Sequence, residues 1–351
     1  MENTSVTSGR SEYNLAFLTP DAFSRLDETD DGLFYAKDRF VSHLDSLALC
    51  TLKRLIGELI IEKNPVILDL MAGWDSHLPQ DLKPSKVVGL GLNERELAEN
   101  TALNEIVLKD INRDPELPFE DDSFDVVLNT VSVDYLVHPV EIFKEVSRIL
   151  KPGGLFLVSF SNRMFPQKAV KVWRDAGEDE RILLVEDFFR ASGRFENPTL
   201  FVSKGKPRPK DDKYARKGLP SDPVYALYAD KKGERSSTRR KSPVELDLFK
   251  GPGKEELEKR KRAVKETLCC PHCGRKLRKW EVPENPFAAT WDNDYLYICF
   301  NDACPYYMNG WDFMIKEGNS GSYRLMYDPK KDNFCPIPVQ TPASLRESII
   351  D

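Results

Sequence analysis

The chain has no long apolar run and little net charge of either sign, and both absences restrict what it can be. No stretch approaches the roughly 18 consecutive apolar residues that a helix needs to cross a bilayer, so we expect no membrane span. The net charge of -6 over 351 residues provides no overall attraction to nucleic acid or to an anionic membrane. The first residues are polar and lack the apolar segment of an export signal. A chain of this kind is expected in the cytoplasm.

Cysteine is scarce outside one segment. Of seven cysteines, Cys50 and Cys335 stand alone, and the others lie within residues 269–304. In a chain without an export signal, such clustering favours metal binding over disulfide bonds. The hydrophobic fraction of 40% is enough for a sizeable core. The length predicts two domains, or one large domain with an appendage.

The first part of the chain contains alternating strand and helix patterns. Residues 13–63 read as mostly helical, with an apolar stripe that includes Phe40, Leu52 and Ile56. Short buried strands are then predicted at residues 66–70, 86–90, 104–108, 124–129 and 155–160, with a helix at 139–150 before the last of them. This alternation predicts an α/β fold, a Rossmann-like doubly wound and largely parallel sheet.

The composition changes near residue 204, where Lys, Arg, Pro and Gly become frequent. Four segments are therefore predicted: a disordered start at residues 1–12, an α/β domain at 13–203, a basic linker at 204–266 and a small β-rich domain at 267–351. The linker is either a solvated connector or a binding segment for an acidic partner such as RNA. Within it, residues 255–267 could form a charged helix.

Two short motifs mark the edge of the sheet where ligands bind in such folds. A buried strand ends in Asp-Leu-Met-Ala-Gly at residues 69–73, and Leu-Lys-Pro-Gly-Gly at 150–154 precedes another. In an open α/β sheet, ligands bind beyond the carboxyl ends of the strands, where the strand order reverses. A nucleotide-like cofactor is the ligand that this pattern predicts.

Residues from about 34 to 200 resemble a class I S-adenosylmethionine-dependent methyltransferase. The resemblance rests on the two motifs above together with Lys109-Asp110 and the Leu-Pro-Phe-Glu-Asp-Asp-Ser-Phe-Asp run at 117–125, all in the family's order. The chain is also similar to a methyltransferase-like subgroup with a Ser-His-Leu-Pro turn, here 76–79, and a Ser-Asn-Arg-x-Phe-Pro segment, here 161–166. The resemblance implies the fold and the cofactor, and leaves the methyl acceptor open.

The resemblance implies that the cofactor is held by residues at the strand ends. These are Asp69, Ala72, Gly73, Asn93, Asp110, Ile111 and Asn129. Backbone N–H groups of Ala72 and Gly73 can approach the methionyl part closely, whereas Asp69 could instead accept N–H groups of its own turn. Asp110 stands where the family places a carboxylate against the adenine amino group, although an Asx turn or a helix cap explains it equally.

Two positions depart from the family's pattern. Trp74 and Asp75 follow Gly73 where smaller residues are usual, and Gly91 replaces the acidic residue that holds the ribose hydroxyls. Asn93 or Glu94 could reach the ribose instead, although Asn93 is equally placed to cap the next helix. These departures keep open a non-catalytic protein that retains the fold.

Candidate residues for the methyl acceptor come from the loops after the fourth and fifth strands. They are Asn129, Asp134, Tyr135, Asn162 and Arg163. Asn129 could accept a hydrogen bond from an amine or alcohol, and Arg163 could hold an anionic group. Asp134 and Tyr135 have ordinary helix-start and packing roles as alternatives.

The clustered cysteines predict a structural zinc site. Cys270-x2-Cys273 and Cys299-x4-Cys304 are two pairs joined by strand-like segments, which suits a zinc ribbon with four thiolate ligands. Cys269 or His272 could substitute for one ligand. The pattern resembles zinc fingers of the Ogr/Delta type. Aromatic residues crowd around it, either as the core of the module and a protein-docking face or as a stacking surface for single-stranded nucleic acid.

Three functions are consistent with these features. The first is methyl transfer to a small-molecule acceptor, which the negative net charge favours. The second is methylation of RNA or protein that the basic linker and the zinc ribbon recruit. The third is a non-catalytic scaffold that binds a protein partner.

Overall fold

The computed structural model describes residues 15, 18–233, 244, 246, 248–283 and 293–351. The predicted disordered start at residues 1–12 lies outside them. The chain divides into two compact units. The first unit comprises Met1–Leu44, Leu52–Phe201 and Val224–Val244, and the second comprises Asp45–Thr51, Val202–Pro223 and Glu245–Asp351.

Helices and strands alternate through the first half of the chain. In order they are α1 (Asp31–Tyr35), α2 (Ser46–Leu59), β1 (Val66–Leu70), β2 (Lys86–Gly91), α3 (Glu94–Glu99), β3 (Glu105–Leu108), β4 (Phe124–Thr130), α4 (Pro139–Ile149), β5 (Leu150–Phe160), α5 (Lys171–Asp175), α6 (Glu178–Ser192), β6 (Thr199–Ser203) and β7 (Val224–Asp230). The predicted strands are all present, with ends that differ by a few residues.

These strands form one seven-stranded sheet in the order β3-β2-β1-β4-β5-β7-β6. Strands β1 to β5 pair with one another in parallel, and β7 runs antiparallel to β5. The prediction of an α/β fold with a doubly wound, largely parallel sheet is confirmed. The strand order reverses between β1 and β4, so the expected ligand crevice opens at their carboxyl ends.

Burial explains why these segments are strands and why α4 covers them. The interior residues of β4, Val126, Val127 and Leu128, have no exposed surface, as expected for a strand between two layers of helices. On α4, Ile142, Phe143, Val146 and Ile149 are equally buried and follow the i, i+3, i+4 spacing of one helix face.

The helical prediction for residues 13–63 is wrong for much of its length. Of the described residues before β1, only Asp31–Tyr35 (α1) and Ser46–Leu59 (α2) are α-helical. Phe40, predicted on the apolar stripe, is 41% exposed and lies in irregular chain between the two helices. We call residues 18–44 the N-terminal strap, because they cross the ends of several strands.

The basic linker predicted at 204–266 contains a strand of the main sheet. All seven residues of β7 are buried, and β7 pairs with β5 along its whole length. Charged and Pro-rich flanks hide this short apolar run, so composition alone indicates a connector. The predicted helix at 255–267 is present as α7 (Lys254–Thr267). Linker residues 234–243, 245 and 247 lie outside the described residues.

The second unit is built around a four-stranded antiparallel sheet. After α7 come β8 (Arg278–Glu281), β9 (Tyr295–Ile298), α8 (Pro305–Lys316), β10 (Ser322–Asp328) and β11 (Asn333–Val339). The sheet order is β11-β10-β9-β8. The C-terminal part of the chain therefore has a sheet of its own, separate from the seven-stranded sheet. In neither unit do the described residues include a helix long and apolar enough to span a membrane.

Candidate functional site

The carboxyl ends of β1 and β4 are directly adjacent, which brings two predicted site residues into contact. In the parallel register Leu70 lies opposite Asn129. The Asn129 amide Nδ2 donates to the Leu70 carbonyl oxygen at 3.3 Å. Asn129 is therefore held by the end of β1 rather than by its own strand.

The turn after β1 combines a strained backbone with a buried carboxyl group. Met71 has φ 61°, in the left-handed region that residues other than glycine rarely adopt. Asp69 is 4% exposed, and burial raises its pKa to about 6 although the Ser76 hydroxyl donates a hydrogen bond to it. Ser76 in turn accepts from the Asn100 amide at 2.9 Å. Backbone strain and a buried carboxyl with a raised pKa are both typical of functional sites.

Only one of the two predicted backbone donors of this turn is open to a ligand. The Ala72 N–H donates to the Leu90 carbonyl oxygen at 2.8 Å, so this N–H is already used within the chain, and a place for Ala72 beside the methionyl part stays a prediction. The Gly73 N–H has no acceptor among the described residues, and the Gly73 carbonyl oxygen accepts from Asn100 at 2.9 Å. Gly73 is the donor that this turn can offer.

The end of β2 explains the missing acidic residue at Gly91. A Cβ atom on Gly91 would lie 2.5 Å from the Ala72 carbonyl oxygen, so no side chain fits without a backbone shift. Asn93 caps α3 by accepting from the Glu96 N–H at 3.0 Å. Its amide nitrogen donates to the Tyr35 carbonyl oxygen and to Asp38, at 2.9 and 3.1 Å. The helix cap uses the side-chain oxygen of Asn93, and the contacts with Tyr35 and Asp38 use its nitrogen.

The loop after β3 holds Asp110 by one of its two carboxylate oxygens. Oδ1 accepts from the N–H groups of Asn112 and Arg113 at 2.9 and 3.3 Å, which is the expected Asx turn. Within the described part of the chain, Oδ2 has no hydrogen-bond partner. Ile111 beside it is 3% exposed. Asp110 can therefore fill its turn role and still present an oxygen to a ligand.

The loop after β4 carries a second buried carboxyl group. Asp134 is 2% exposed, and burial raises its pKa to about 7. Its neighbour Tyr135 donates to Asp134 and accepts from the Phe165 N–H at 2.8 Å. Burial and the charge of Asp134 raise the pKa of Tyr135 well above its usual value. The loop begins at Val131, a β-branched residue with φ 52°.

The two candidates after β5 lie in different surroundings. Asn162 is exposed, and Arg163 is half-buried. Neither is as deeply buried as Asn129, Asp134 and Tyr135. Phe165, further along the same segment, stacks on Tyr135 with ring centroids 6.2 Å apart.

Sequence reasoning missed a buried ion-pair network in the N-terminal strap. Asp31, 3% exposed, accepts from Arg25 at 2.7 Å through both oxygens and from Asn112 at 2.9 Å. The Lys168 ammonium, fully buried, lies 3.1 Å from Asp31 and donates to the Thr29 carbonyl oxygen at 2.6 Å. No sequence pattern links these residues, because they lie up to about 140 positions apart.

The strap also reaches the loops after β1 and β2. The Trp74 indole N–H donates to the Val41 carbonyl oxygen at 3.2 Å, and the Arg39 N–H donates to Glu96 at 2.6 Å. Trp74, a departure from the family pattern, thus anchors the strap. Together with the Asp31 network, these contacts tie residues 25–41 to the segments that follow β1, β2, β3 and β5.

Four cysteines of the second unit converge as the spacing predicts. Cys270, Cys273, Cys299 and Cys304 place their Sγ atoms within 4.8 Å of one another. The Cys270–Cys304 and Cys273–Cys299 distances are 3.9 and 3.6 Å. Sulfurs about 2.3 Å from a tetrahedral zinc would lie about 3.8 Å apart. The thiol groups can therefore hold a zinc ion with little movement.

The alternative ligands do not join this cluster. The Cys269 Sγ contacts the Thr267 carbonyl oxygen, and the His272 ring packs on Tyr306 with centroids 4.5 Å apart. The knuckle turn at Gly274 has φ 71°, and its N–H donates to the Cys270 carbonyl oxygen at 2.8 Å. Of the aromatic residues nearby, Trp280, Tyr307 and Trp311 are buried, as the core interpretation predicts, and Trp291 lies outside the described residues.

Comparison with known proteins supports the methyltransferase resemblance over part of the chain. Residues 72–158 match the family model of a methyltransferase domain. A malonyl-[acyl-carrier protein] O-methyltransferase of Marinomonas sp. (strain MWYL1) is 27% identical over 157 residues, 41% of this chain and 57% of that protein. A demethylmenaquinone methyltransferase of Staphylococcus aureus (strain JH9) is 38% identical over 116 residues, 29% of this chain and 46% of that protein. The chain thus spans about half of these curated relatives.

Solved methyltransferase structures are similar at low sequence identity. One is the complex between the Haloferax volcanii Trm112 methyltransferase activator and a methyltransferase, with a TM-score of 0.40 and 18% identity, covering 53% of this chain and 91% of that one. Another is an S-adenosylmethionine-dependent methyltransferase from Mesorhizobium loti, with a TM-score of 0.35 and 18% identity, covering 52% and 98%.

Proposed function

We propose that this chain is a class I S-adenosylmethionine-dependent methyltransferase that acts on a small-molecule acceptor. The observation that carries the proposal is the turn after β1, where a buried Asp69 precedes a left-handed Met71 at the point of strand-order reversal. The match of residues 72–158 to a methyltransferase domain supports the same assignment.

Three groups would hold the cofactor. The Gly73 N–H, which has no acceptor among the described residues, suits the methionyl carboxylate. Asp69 suits the amino group, whose positive charge would favour the ionised carboxyl. The second oxygen of Asp110 suits the adenine amino group beside buried Ile111. Gly91 and Asn93 offer the ribose no carboxylate, so we expect weaker cofactor binding than in relatives with an acidic residue there.

The bound cofactor supplies a methyl group on a positively charged sulfur, which makes the carbon electrophilic. The protein then has to exclude water and hold the acceptor in line. Buried Asn129, Asp134 and Tyr135 are placed to do this at the end of β4, and Asp134 can take a proton from the acceptor because its pKa is about 7. Asn162 and Arg163 would contact the outer part of the acceptor.

We also propose that the four-cysteine cluster binds a structural zinc ion. All four ligands would be cysteine thiolates, which would leave no open coordination site for catalysis. Three of the cysteines are buried in the core of the second unit, so the ion would stabilise that core. Reduced thiolates of this kind fit the cytoplasm, the compartment we expect for this chain.

Calorimetric titration of S-adenosylhomocysteine tests the cofactor assignment. We expect micromolar binding to the wild type and loss of measurable binding in the Asp69→Ala, Asp110→Ala double variant. Asp121→Ala is the matched control, because Asp121 precedes the amino end of β4 and its side chain is 73% exposed. Wild-type protein that is folded and binds neither S-adenosylmethionine nor S-adenosylhomocysteine would refute the proposal and favour the non-catalytic scaffold.

A further inference from the structure

Five buried oxygens at the ends of β4 and β5 have no hydrogen-bond partner among the described residues. They are Asn129 Oδ1, Ser132 Oγ, Asp134 Oδ2, Ser159 Oγ and Ser161 Oγ. Each of these residues is at most 6% exposed. Buried polar atoms in native proteins are nearly always paired, because an unpaired one loses its water without compensation. Such a concentration at one edge of the sheet indicates that a polar ligand completes it.

Asn129 and Asp134 offer acceptors to a ligand, whereas the Ser132 hydroxyl beside them can donate or accept. The Nδ2 of Asn129 already donates to Leu70, so only its carbonyl oxygen remains for a ligand. Asp134 is acceptor-only when ionised. The Val131 N–H between them donates to the Ser159 carbonyl oxygen at 2.7 Å. A ligand group that contacts Asn129 and Asp134 must therefore bring N–H or O–H groups, and a carboxylate or phosphate at that point would meet oxygens of the same sign.

The aromatic residues beside Asp134 bear on the charge of the acceptor. Tyr135 stacks on Phe165, and Phe165 and Phe34 both hold the Arg39 guanidinium, with its carbon 5.3 and 4.9 Å from their ring centroids. Because these rings already hold the positive charge of Arg39, an acceptor beside them is expected to bind as the uncharged amine rather than as its ammonium. Burial and the nearby charge of Asp134 raise the pKa of Tyr35, which places the Tyr35 ring in the same surroundings.

We propose that the methyl acceptor is an amine, with its nitrogen bound by Asn129 Oδ1 and Asp134 Oδ2. The inference rests on the proposed function and adds the chemical class of the acceptor. The lone pair of the neutral amine forms the new N–C bond as the methyl C–S bond breaks and its electron pair stays on sulfur. One proton of the resulting ammonium passes to the Asp134 carboxylate, and the others remain on nitrogen.

Two cofactor analogues that differ at the reacting position test this assignment. Sinefungin carries a primary amine where S-adenosylmethionine carries its methyl group, and S-adenosylhomocysteine carries nothing there. We expect the wild type to bind sinefungin at least about tenfold more tightly, as for a hydrogen bond to a charged group. In Asp134→Asn and Asn129→Leu we expect this preference, measured as the ratio of the two Kd values within each variant, to fall to about one.

The outcomes separate the two proposals. If S-adenosylhomocysteine does not bind to the wild type, the proposed function fails and the acceptor assignment fails with it. If it binds but the preference for sinefungin is absent, or persists in both variants, the amine assignment alone is overturned. Asp134→Asn keeps the shape of the side chain, so it remains informative if Asn129→Leu does not fold. Asp121→Asn, at the opposite end of β4, should keep the full preference.

Discussion

Gly91 shows how one residue can determine both the backbone path and the ligand chemistry of a site. A Cβ atom there would lie 2.5 Å from the Ala72 carbonyl oxygen. The Ala72 N–H in turn donates to the Leu90 carbonyl oxygen near the end of β2. An acidic side chain is therefore excluded at position 91 because the end of β2 and the turn after β1 approach each other closely. Restoring the acid by mutation would disturb the turn that offers the Gly73 N–H.

We predict that Gly91→Asp lowers stability and does not improve cofactor binding. The overlap with backbone should reduce the free energy of unfolding by about 1–3 kcal/mol, as measured by urea denaturation. Gly177→Ala is the control, because its Cβ would lie an ordinary 3.6 Å from the nearest atom, on Glu180. A Gly91→Asp protein with unchanged stability and tighter binding of S-adenosylhomocysteine would contradict this account.

The buried carboxyl group of Asp134 should make stability depend on pH. Its pKa is raised from 3.8 to about 7 in the folded state, so the folded protein binds the proton more tightly than the unfolded chain does. The resulting stabilisation is complete below pH 4 and is lost as the pH rises toward 7. At roughly 1.4 kcal/mol per pKa unit, the loss amounts to a few kcal/mol at most.

Asp134→Asn removes this titration. We expect the variant to gain more in Tm relative to wild type at pH 8 than at pH 5, measured by thermal melts without ligand. Asp121→Asn, an exposed substitution, should show the same small difference at both pH values. An equal effect of Asp134→Asn at the two pH values would show that the carboxyl group titrates normally.

At the scale of elements, the N-terminal strap depends on a few buried charges. Asp31 is paired with both Arg25 and Lys168, and the Lys168 side chain is fully buried. Removing one partner of a buried ion pair leaves the other charge without compensation, which costs about 3–5 kcal/mol. The strap should therefore detach, or the whole unit should lose stability, when Asp31 is replaced.

We predict that Asp31→Ala destabilises the first unit strongly and weakens binding of S-adenosylhomocysteine. Urea denaturation and calorimetry measure the two effects. The control is Asp21→Ala, which breaks the ion pair of the same strap with Lys171, where the side chains are 56% and 40% exposed. Equal, small effects of both substitutions would show that the buried network does not hold the strap.

Local patterns predict the main elements well and the long-range connections poorly. The strand at Val66–Leu70 and the helix from Pro139 are found as the periodicity indicates. The sequence pattern predicts neither β7, whose flanks are charged, nor α8. Tertiary packing rather than local pattern determines both elements. Within the site, Asp69, Asp110 and Asn129 follow from motif position. The hydrogen bond of the Ala72 N–H and the Lys168–Asp31 ion pair depend on long-range contacts that no local pattern contains.

At the scale of the whole molecule, we predict that loss of the metal unfolds the second unit and leaves cofactor binding by the first unit intact. Changing Cys270 and Cys273 to Ser should release about one zinc per chain and unfold the second unit, because Cys270 lies in its core. Binding of S-adenosylhomocysteine should persist. Elemental analysis and calorimetry measure the two properties, and Cys50→Ser, at an exposed cysteine, is the control. Protein purified without chelator that contains no zinc would refute the metal assignment.

The position of β7 has a consequence for how the chain is made. Strand β6 precedes β7 in sequence, yet β7 lies between β5 and β6 in the sheet. A ribosome therefore releases β6 before the strand that must separate it from β5 exists, and the two could pair wrongly in the interval. The sheet can be completed only after Asp230 has emerged, so shortened forms that stop near residue 203 should aggregate rather than fold.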